Sequence, residues 1–125
     1  MSFIVYISIG SNISSGETQI NQAFNFLSEI SSGIVKSEIY STPSVSCGDD
    51  SIYFNAVAKC VIGDITILNQ SLKSYEVKAG RIKGSKDVVI DLDIVVADDE
   101  IIRTKDFNQE YFQIGYRQIH NIQIS

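Results

Sequence analysis

The sequence predicts an α+β fold in which an antiparallel sheet carries two helices on one face. Three observations lead there. Four runs of strand length, Phe3 to Ile9, Ile34 to Thr42, Tyr53 to Ile62 and Val88 to Val96, are rich in β-branched, aliphatic and aromatic residues. Two of the stretches between them carry apolar residues three and four apart, the mark of an amphipathic helix. The resulting order is strand, helix, strand, strand, helix, strand, which makes two βαβ-like halves. This is the ferredoxin-like βαββαβ arrangement, with one sheet face under the helices and the other available.

Each element has a local reason. Phe3 to Ile9 is an almost unbroken apolar run, which suits a central strand. Gly10-Ser11-Asn12 are turn residues, and Ser14 or Ser15 is placed to cap the helix that follows. Ile20, Ala23, Phe24, Leu27 and Ile30 form that helix's apolar stripe, and Ser31-Ser32-Gly33 stops it. Ile34 to Thr42 reads as one strand with Val35, Ser37, Ile39 and Ser41 on one face. Pro43, the only proline, ends it because it has no N–H to donate. Residues 43–52 are long for a hairpin loop, and loops of that length in small domains often carry function. After the Tyr53 to Ile62 strand, Gly63-Asp64 turns the chain. The second helix carries Ile67, Leu68, Leu72 and Tyr75 on its buried side, with Ala79 in line, and stops at Gly80. A basic connector, Arg81 to Asp87, leads into Val88 to Val96. Asp98-Asp99 reads as a tight turn and Ile101-Ile102 as a short edge strand. Phe107 to Ser125 mixes aromatic and polar residues without a clear period.

A chain of 125 residues fits one domain spanning residues 1–125. With 44% hydrophobic and 20% charged residues it has an ordinary globular balance. The net charge of −5 gives no broad basic surface, which argues against nucleic acid as a partner. No apolar run approaches a membrane span, and the N-terminus lacks the pattern of a secretory signal. Cys47 and Cys60 form neither a disulfide framework nor a zinc pattern and read as free thiols of a cytoplasmic protein. With His120 as the only histidine, a histidine-cluster metal site is excluded.

The last predicted strand carries the chemistry. On a strand, Val89, Asp91, Asp93 and Val95 share one face, and Val88, Ile90, Leu92, Ile94 and Val96 share the other. The second set should pack under the helices. The first places two carboxylates about 6.5–7 Å apart along the strand. Aspartate is depleted in strands and like charges repel, so a divalent cation such as Mg²⁺ between them would offset the cost. The competing reading is a solvated sheet face bearing two acids. Arg81 and Lys83, just upstream, suit phosphates, unless they and Lys86 merely form a solvated basic loop. Tyr53 and Asn55 alternate onto one face, where a ring and an amide suit a flat polar heterocycle. A core or edge tyrosine beside a loop-proximal asparagine is the alternative. Gly10-Ser11-Asn12 matches neither glycine-rich nucleotide fingerprint.

Five stretches in order resemble the 6-hydroxymethyl-7,8-dihydropterin pyrophosphokinase family. Tyr6-Ile7-Ser8-Ile9-Gly10-Ser11-Asn12 is similar to its opening strand and turn, and Ser37 to Pro43 to its second strand with a Tyr-x-Thr-Pro exit. Tyr53-Phe54-Asn55 resembles its third strand. Glu76-Val77-Lys78-Ala79-Gly80-Arg81 resembles its Glu-x-x-x-Gly-Arg helix end, and Ile90-Asp91-Leu92-Asp93-Ile94 its Asp-Leu-Asp strand. The resemblance implies the same ferredoxin-like fold and transfer of the β,γ-pyrophosphoryl group of ATP to the pterin hydroxymethyl oxygen, with release of AMP. It implies that Asp91 and Asp93 hold two Mg²⁺ ions with ATP and that Arg81 serves in catalysis. Thr42, Pro43, Ser44, Val45, Tyr53 and Asn55 then line the pterin pocket. Glu76, Arg81, Lys83 and Arg117 lie on the ATP side. The departures are as definite. Ser85-Lys86-Asp87-Val88-Val89 stands where the family has a Trp-Gly-Pro-Arg-like stretch, Glu110-Tyr111-Phe112 replaces a Pro-His pair, and Ile119 replaces a stacking aromatic. The C-terminal segment is short. Two further readings stay open: a relative that binds pterin or nucleotide without transfer, and a ferredoxin-like protein-interaction domain.

Overall fold

A computed structural model describes residues 1–44 and 51–124. The elements are β1 (Phe3–Ser11), α1 (Gly16–Ile30), β2 (Gly33–Lys36), β3 (Tyr40–Pro43), β4 (Ile52–Ile62), α2 (Ile65–Lys78), β5 (Asp91–Ala97), β6 (Glu100–Ile101), α3 (Thr104–Phe107) and α4 (Glu110–Ile119). The sheet is antiparallel in the order β2-β4-β1-β5-β6, with β3 also paired to β4. The apolar run of β1 lies at its centre, as its composition requires.

The ferredoxin-like α+β core is present. Val5, Ile7 and Ile9 of β1, Ala56, Ala58 and Cys60 of β4, and Ile90, Leu92 and Ile94 at β5 pack under Ile20, Ala23, Phe24 and Leu27 of α1 and Leu68 and Leu72 of α2. Both helices therefore lie on the Ile90-Leu92-Ile94 face, as the alternation predicts. Ile67 does not join them: it is 60% exposed, because Leu68, Leu72 and Glu76, four apart, define the inward face of α2. Ile30 is likewise partly exposed at the end of α1. Ser15 stands at the start of α1 without a side-chain capping bond. Asp64 does cap α2, its Oδ1 accepting from Ile67 N–H at 2.9 Å.

Two local irregularities break the expected strands. Pairing runs Lys36↔Ala58 in β2 but Tyr40↔Asn55 in β3, so residues 37–39 contain one residue more than β4 does opposite them. Ser37 causes this break. Its Oγ accepts from Val57 N–H at 2.8 Å, taking the place of a ladder carbonyl, while Ser37 N–H donates to Val57 O. The single strand expected over Ile34 to Thr42 is thus two strands. On β5, the register against β1 shifts between Ile7↔Ile94 and Tyr6↔Val96. Val95 is the extra residue, and Val96 crosses with it to the second face instead of continuing the Ile90-Leu92-Ile94 strip.

The second face is not left bare. Tyr6, Val57, Val95 and Val96 bury Phe112 and Ile119 of α4. A helical stripe therefore exists within Phe107 to Ser125, formed by Phe112, Gly115, Tyr116 and Ile119. Gly115 lets α4 approach closely: a Cβ there would lie 2.6 Å from Val57 Cγ2 and 2.8 Å from Tyr40 Oη. Its N–H donates to Tyr40 Oη at 3.0 Å. Buried Lys59 donates to the carbonyls of His120 at 3.2 Å and Ile122 at 2.7 Å, a cation at the C-terminal end of α4. Cys60 is buried as a free thiol, and Cys47 lies outside the described residues. No helix among the described residues is long and apolar enough to cross a membrane.

Candidate active site

The site begins at the end of α2. Gly80, at φ +105°, closes the helix: its N–H donates to Val77 O at 3.0 Å and Arg81 N–H to Glu76 O at 3.1 Å. These are the two bonds of a Schellman motif, for which glycine is favoured because no Cβ opposes the positive φ. The reversal brings Arg81 back toward the strand ahead of it, where Arg81 Nη1 meets Asp91 Oδ1 at 2.6 Å.

At this height β5 is a sheet edge, since β6 pairs only with Val96 and Ala97. Two α2 side chains take the place of a neighbouring strand. Leu92 N–H donates to Glu76 Oε2 at 2.7 Å, and Lys73 Nζ donates to Leu92 O at 2.8 Å. Lys73 also contacts Asp93 Oδ1 at 3.0 Å and Glu76 Oε2 at 3.2 Å, while Glu76 Oε1 lies 3.4 Å from Arg81. Arg103, just before α3, stands 3.9 Å from Asp93 and pairs with Asp106, which accepts a hydrogen bond from Tyr111 Oη. Four carboxylates and three cations thus form one alternating chain. Burial raises the Asp93 pKa above the usual carboxylate value, and Asp91 adds to the rise, while Lys73 and Arg103 oppose it. Burial works against the charge of Lys73, but Asp93 and Glu76 together hold its pKa above the ordinary lysine value. Burial, and then the hydrogen bond to Asp106, keep the Tyr111 phenol protonated well beyond the usual range.

Sheet register decides what faces these acids. Gly10 on β1 pairs with Asn55 on one side and Asp91 on the other, and Ser8 pairs with Val57 and Asp93. Asn55 and Asp91 therefore occupy one row, two strand spacings or about 9–10 Å apart, with only a glycine between them. A Cβ at Gly10 would stand 3.4 Å from Asn55 Oδ1 and 3.7 Å from the Tyr53 ring. The space left over is a pocket of about 160 Å³, lined by Ser8, Gly10, Thr42, Pro43, Ser44, Tyr53, Asn55, Asp91, Asp93, Asp106 and Tyr111. Asn55 Nδ2 donates to Thr42 Oγ1 at 2.7 Å and to Tyr53 O at 3.3 Å, which fixes the amide in a buried position. On the other side of Asp93 a groove of about 520 Å³ runs along α2, with Lys73, Asn69, Gln70, Ile94 and Arg103 in its walls.

The family model of 7,8-dihydro-6-hydroxymethylpterin-pyrophosphokinase matches residues 6–122. The chain belongs to this family. The match includes α3 and α4, so the segment without a legible period is part of the family domain. The family's activity is pyrophosphokinase transfer in folate synthesis.

Of the residues singled out for this pyrophosphokinase site, Asp91, Asp93, Thr42, Pro43, Ser44, Tyr53 and Asn55 meet in one pocket. Glu76 and Arg81 adjoin it through their ion pairs. Val45 lies outside the described residues. Lys83 is exposed and takes no part in the pocket lining. Arg117 sits on α4, ion-paired to Glu110 at 3.6 Å and away from the lining. Ile119 is core, buried against the sheet and not in the pocket. Sequence reasoning passed over Lys73, Arg103, Asp106 and Tyr111. Lys73 carried a signal, one turn before Glu76 on the same helix face. The other three reach the site only because the chain doubles back after β6.

Asp91 and Asp93 fit a divalent cation such as Mg²⁺ by the chemistry of the donor set. They are hard carboxylate oxygens on one strand face, lining one pocket. No group of three or more histidine, cysteine, aspartate or glutamate residues able to hold a metal ion occurs among the described residues.

Proposed function

We propose that this chain transfers the β,γ-pyrophosphoryl group of ATP to 6-hydroxymethyl-7,8-dihydropterin, as a cytoplasmic enzyme with small-molecule partners only. One observation carries the reading: a single pocket joins Asn55, Thr42 and Tyr53 to the Asp91–Asp93 pair across Gly10. The pterin edge presents donors and acceptors, which the fixed Asn55 amide and the backbone around Thr42 to Ser44 are placed to match. Tyr53 offers a ring face. The groove beyond Asp93, with Lys73 and Arg103 in its walls, is placed for the nucleotide. Mg²⁺ bound by Asp91 and Asp93 with the ATP phosphates, two ions by the family pattern, supplies charge neutralisation and alignment for in-line displacement. The hydroxymethyl oxygen gains a bond to Pβ and gives up its proton to solvent as the bond from Pβ to the α,β-bridging oxygen breaks, and AMP leaves with that oxygen. Asp106 and Tyr111 wall the pocket and limit access of water to the reacting phosphorus.

A second reading, a relative that binds without transfer, draws on two features. Lys73 and Arg81 already occupy the aspartates, and Ser85-Lys86-Asp87 stands in place of the Trp-Gly-Pro-Arg-like stretch. A turnover assay with ATP, the hydroxymethyl-dihydropterin and Mg²⁺, read as AMP formed, separates the two. AMP appearing in step with pyrophosphorylated pterin supports transfer. Binding of both ligands by calorimetry with no AMP establishes the second reading.

A further inference from the structure

The three hydrogen-bond donors of Lys73 are all engaged. They go to Leu92 O at 2.8 Å, Asp93 Oδ1 at 3.0 Å and Glu76 Oε2 at 3.2 Å. An ammonium group has three donors and no more. Two of these partners are fixed parts of the scaffold: Leu92 O is an edge carbonyl of β5, and Glu76 is buried and itself held by Leu92 N–H. The third, Asp93, belongs to the carboxylate pair of the proposed reaction. Lys73 also lines the groove on the far side of Asp93. It therefore touches the carboxylate from the side on which the phosphates of the nucleotide would enter.

We propose that Lys73 is a positioning residue that acts as an exchangeable counter-ion. In the empty site it neutralises Asp93 and disfavours a divalent cation bound without nucleotide. In the loaded site the donor released from Asp93 passes to a phosphate oxygen, while the bonds to Leu92 O and Glu76 hold the side chain in place. The inference rests on the pyrophosphokinase reading and deepens it: cation and nucleotide enter as one unit because Lys73 must exchange one anion for another. Arg81 cannot replace it. Arg81 pairs with Asp91, and it is not in the walls of the groove.

The test uses Mn²⁺, followed by the electron paramagnetic resonance of the free ion, on the nucleotide-free protein. Lys73→Met should bind Mn²⁺ at least tenfold more tightly than the parent, because a fixed positive charge beside Asp93 is gone. Lys73→Arg, which keeps the charge, should stay within about threefold of the parent. A merely structural lysine would not produce a gain in metal affinity. Should Lys73→Met fail to fold, Lys73→Gln, whose amide still has donors for Leu92 O, serves in its place with the same expectation. Adding a non-hydrolysable ATP analogue should tighten Mn²⁺ binding in the parent by a larger factor than in the neutral variant. Equal Mn²⁺ affinity of the nucleotide-free parent and the neutral variant, with metal still bound by the parent when the analogue is present, overturns the role of Lys73 alone. A parent that takes up no Mn²⁺ even with the analogue overturns the pyrophosphokinase reading itself.

Discussion

Glu76 holds the edge of β5, and Glu76→Ala measures what that edge is worth. The residue is 6% exposed and has three partners: Leu92 N–H at 2.7 Å, Lys73 at 3.2 Å and Arg81 at 3.4 Å. Truncation leaves a fully buried Leu92 without the acceptor for its N–H, at a cost of about 1–3 kcal/mol. The two ion pairs contribute less. Lys73 and Arg81 side chains are 44% and 30% exposed, so solvent screens both pairs. About 0.2–1 kcal/mol each is the appropriate scale. The sum is about 3 kcal/mol, equivalent to a fall in Tm of about 10 °C for a domain of this size. Glu76→Gln keeps a carbonyl oxygen for Leu92 N–H and loses only the charge, so its cost should be about 1 kcal/mol. Urea unfolding followed by far-ultraviolet circular dichroism, with a common slope for parent and variants, gives both numbers. A cost under about 0.5 kcal/mol for Glu76→Ala, or a Glu76→Gln cost equal to that of Glu76→Ala, would refute this role of Glu76. The first outcome would mean the edge N–H finds another partner. The second would mean that charge, and not the backbone bond, governs this corner.

Two further perturbations address the pocket. Asn55→Ala should weaken pterin binding tenfold or more, about 1.4 kcal/mol, while leaving binding of an ATP analogue within about twofold. Calorimetric titration of both ligands checks this, and an equal loss for both would place Asn55 outside the pterin subsite. Asp93→Asn should reduce AMP formation to background, and its stability relative to the parent should depend on pH. The Asp93 pKa in the fold is raised above its unfolded value of 3.8, chiefly by burial and then by Asp91. A raised carboxylate favours the protonated fold, so its contribution is fully present below the unfolded value and is lost as pH rises through the native one. Asp93→Asn escapes that loss and should gain on the parent across the window. Unfolding curves of both proteins from pH 3.5 to 8 that run parallel throughout would contradict the assignment.

Much of the site was legible because it is built on local periods. Alternation along Asp91-Leu92-Asp93 put both carboxylates opposite the helix-packed strip, and it held because nothing interrupts β5 between Ile90 and Ile94. The same rule failed two residues later, where Val95 is an extra residue that turns Val96 to the second face. It failed also at Ser37, where a hydroxyl stands in for a ladder carbonyl. A bulge is set by what the partner strand offers, and no residue within the bulged strand announces it. Ile67 was misplaced for a related reason. Its spacing is compatible with two helix faces, and only the line through Leu68, Leu72 and Glu76 meets the sheet.

By itself, then, the sequence determined the βαββαβ order, the two helices over the Ile90-Leu92-Ile94 face, the carboxylate pair and the run of motifs that marks the family. The first three follow from side-chain periodicity and turn chemistry within ten or so residues, which any fold must respect, and the motifs from their resemblance to the family. Tertiary structure decided the rest. It set Asn55 opposite Asp91 across Gly10, brought Asp106 and Tyr111 into the pocket wall and Arg103 into the wall of the groove beyond Asp93, and closed the second face with α4. It also drew Lys73 and Glu76 onto the open edge of β5. Each of these joins residues far apart in the chain, and each exists because a buried backbone group or apolar face had to be satisfied by whatever the fold brought near.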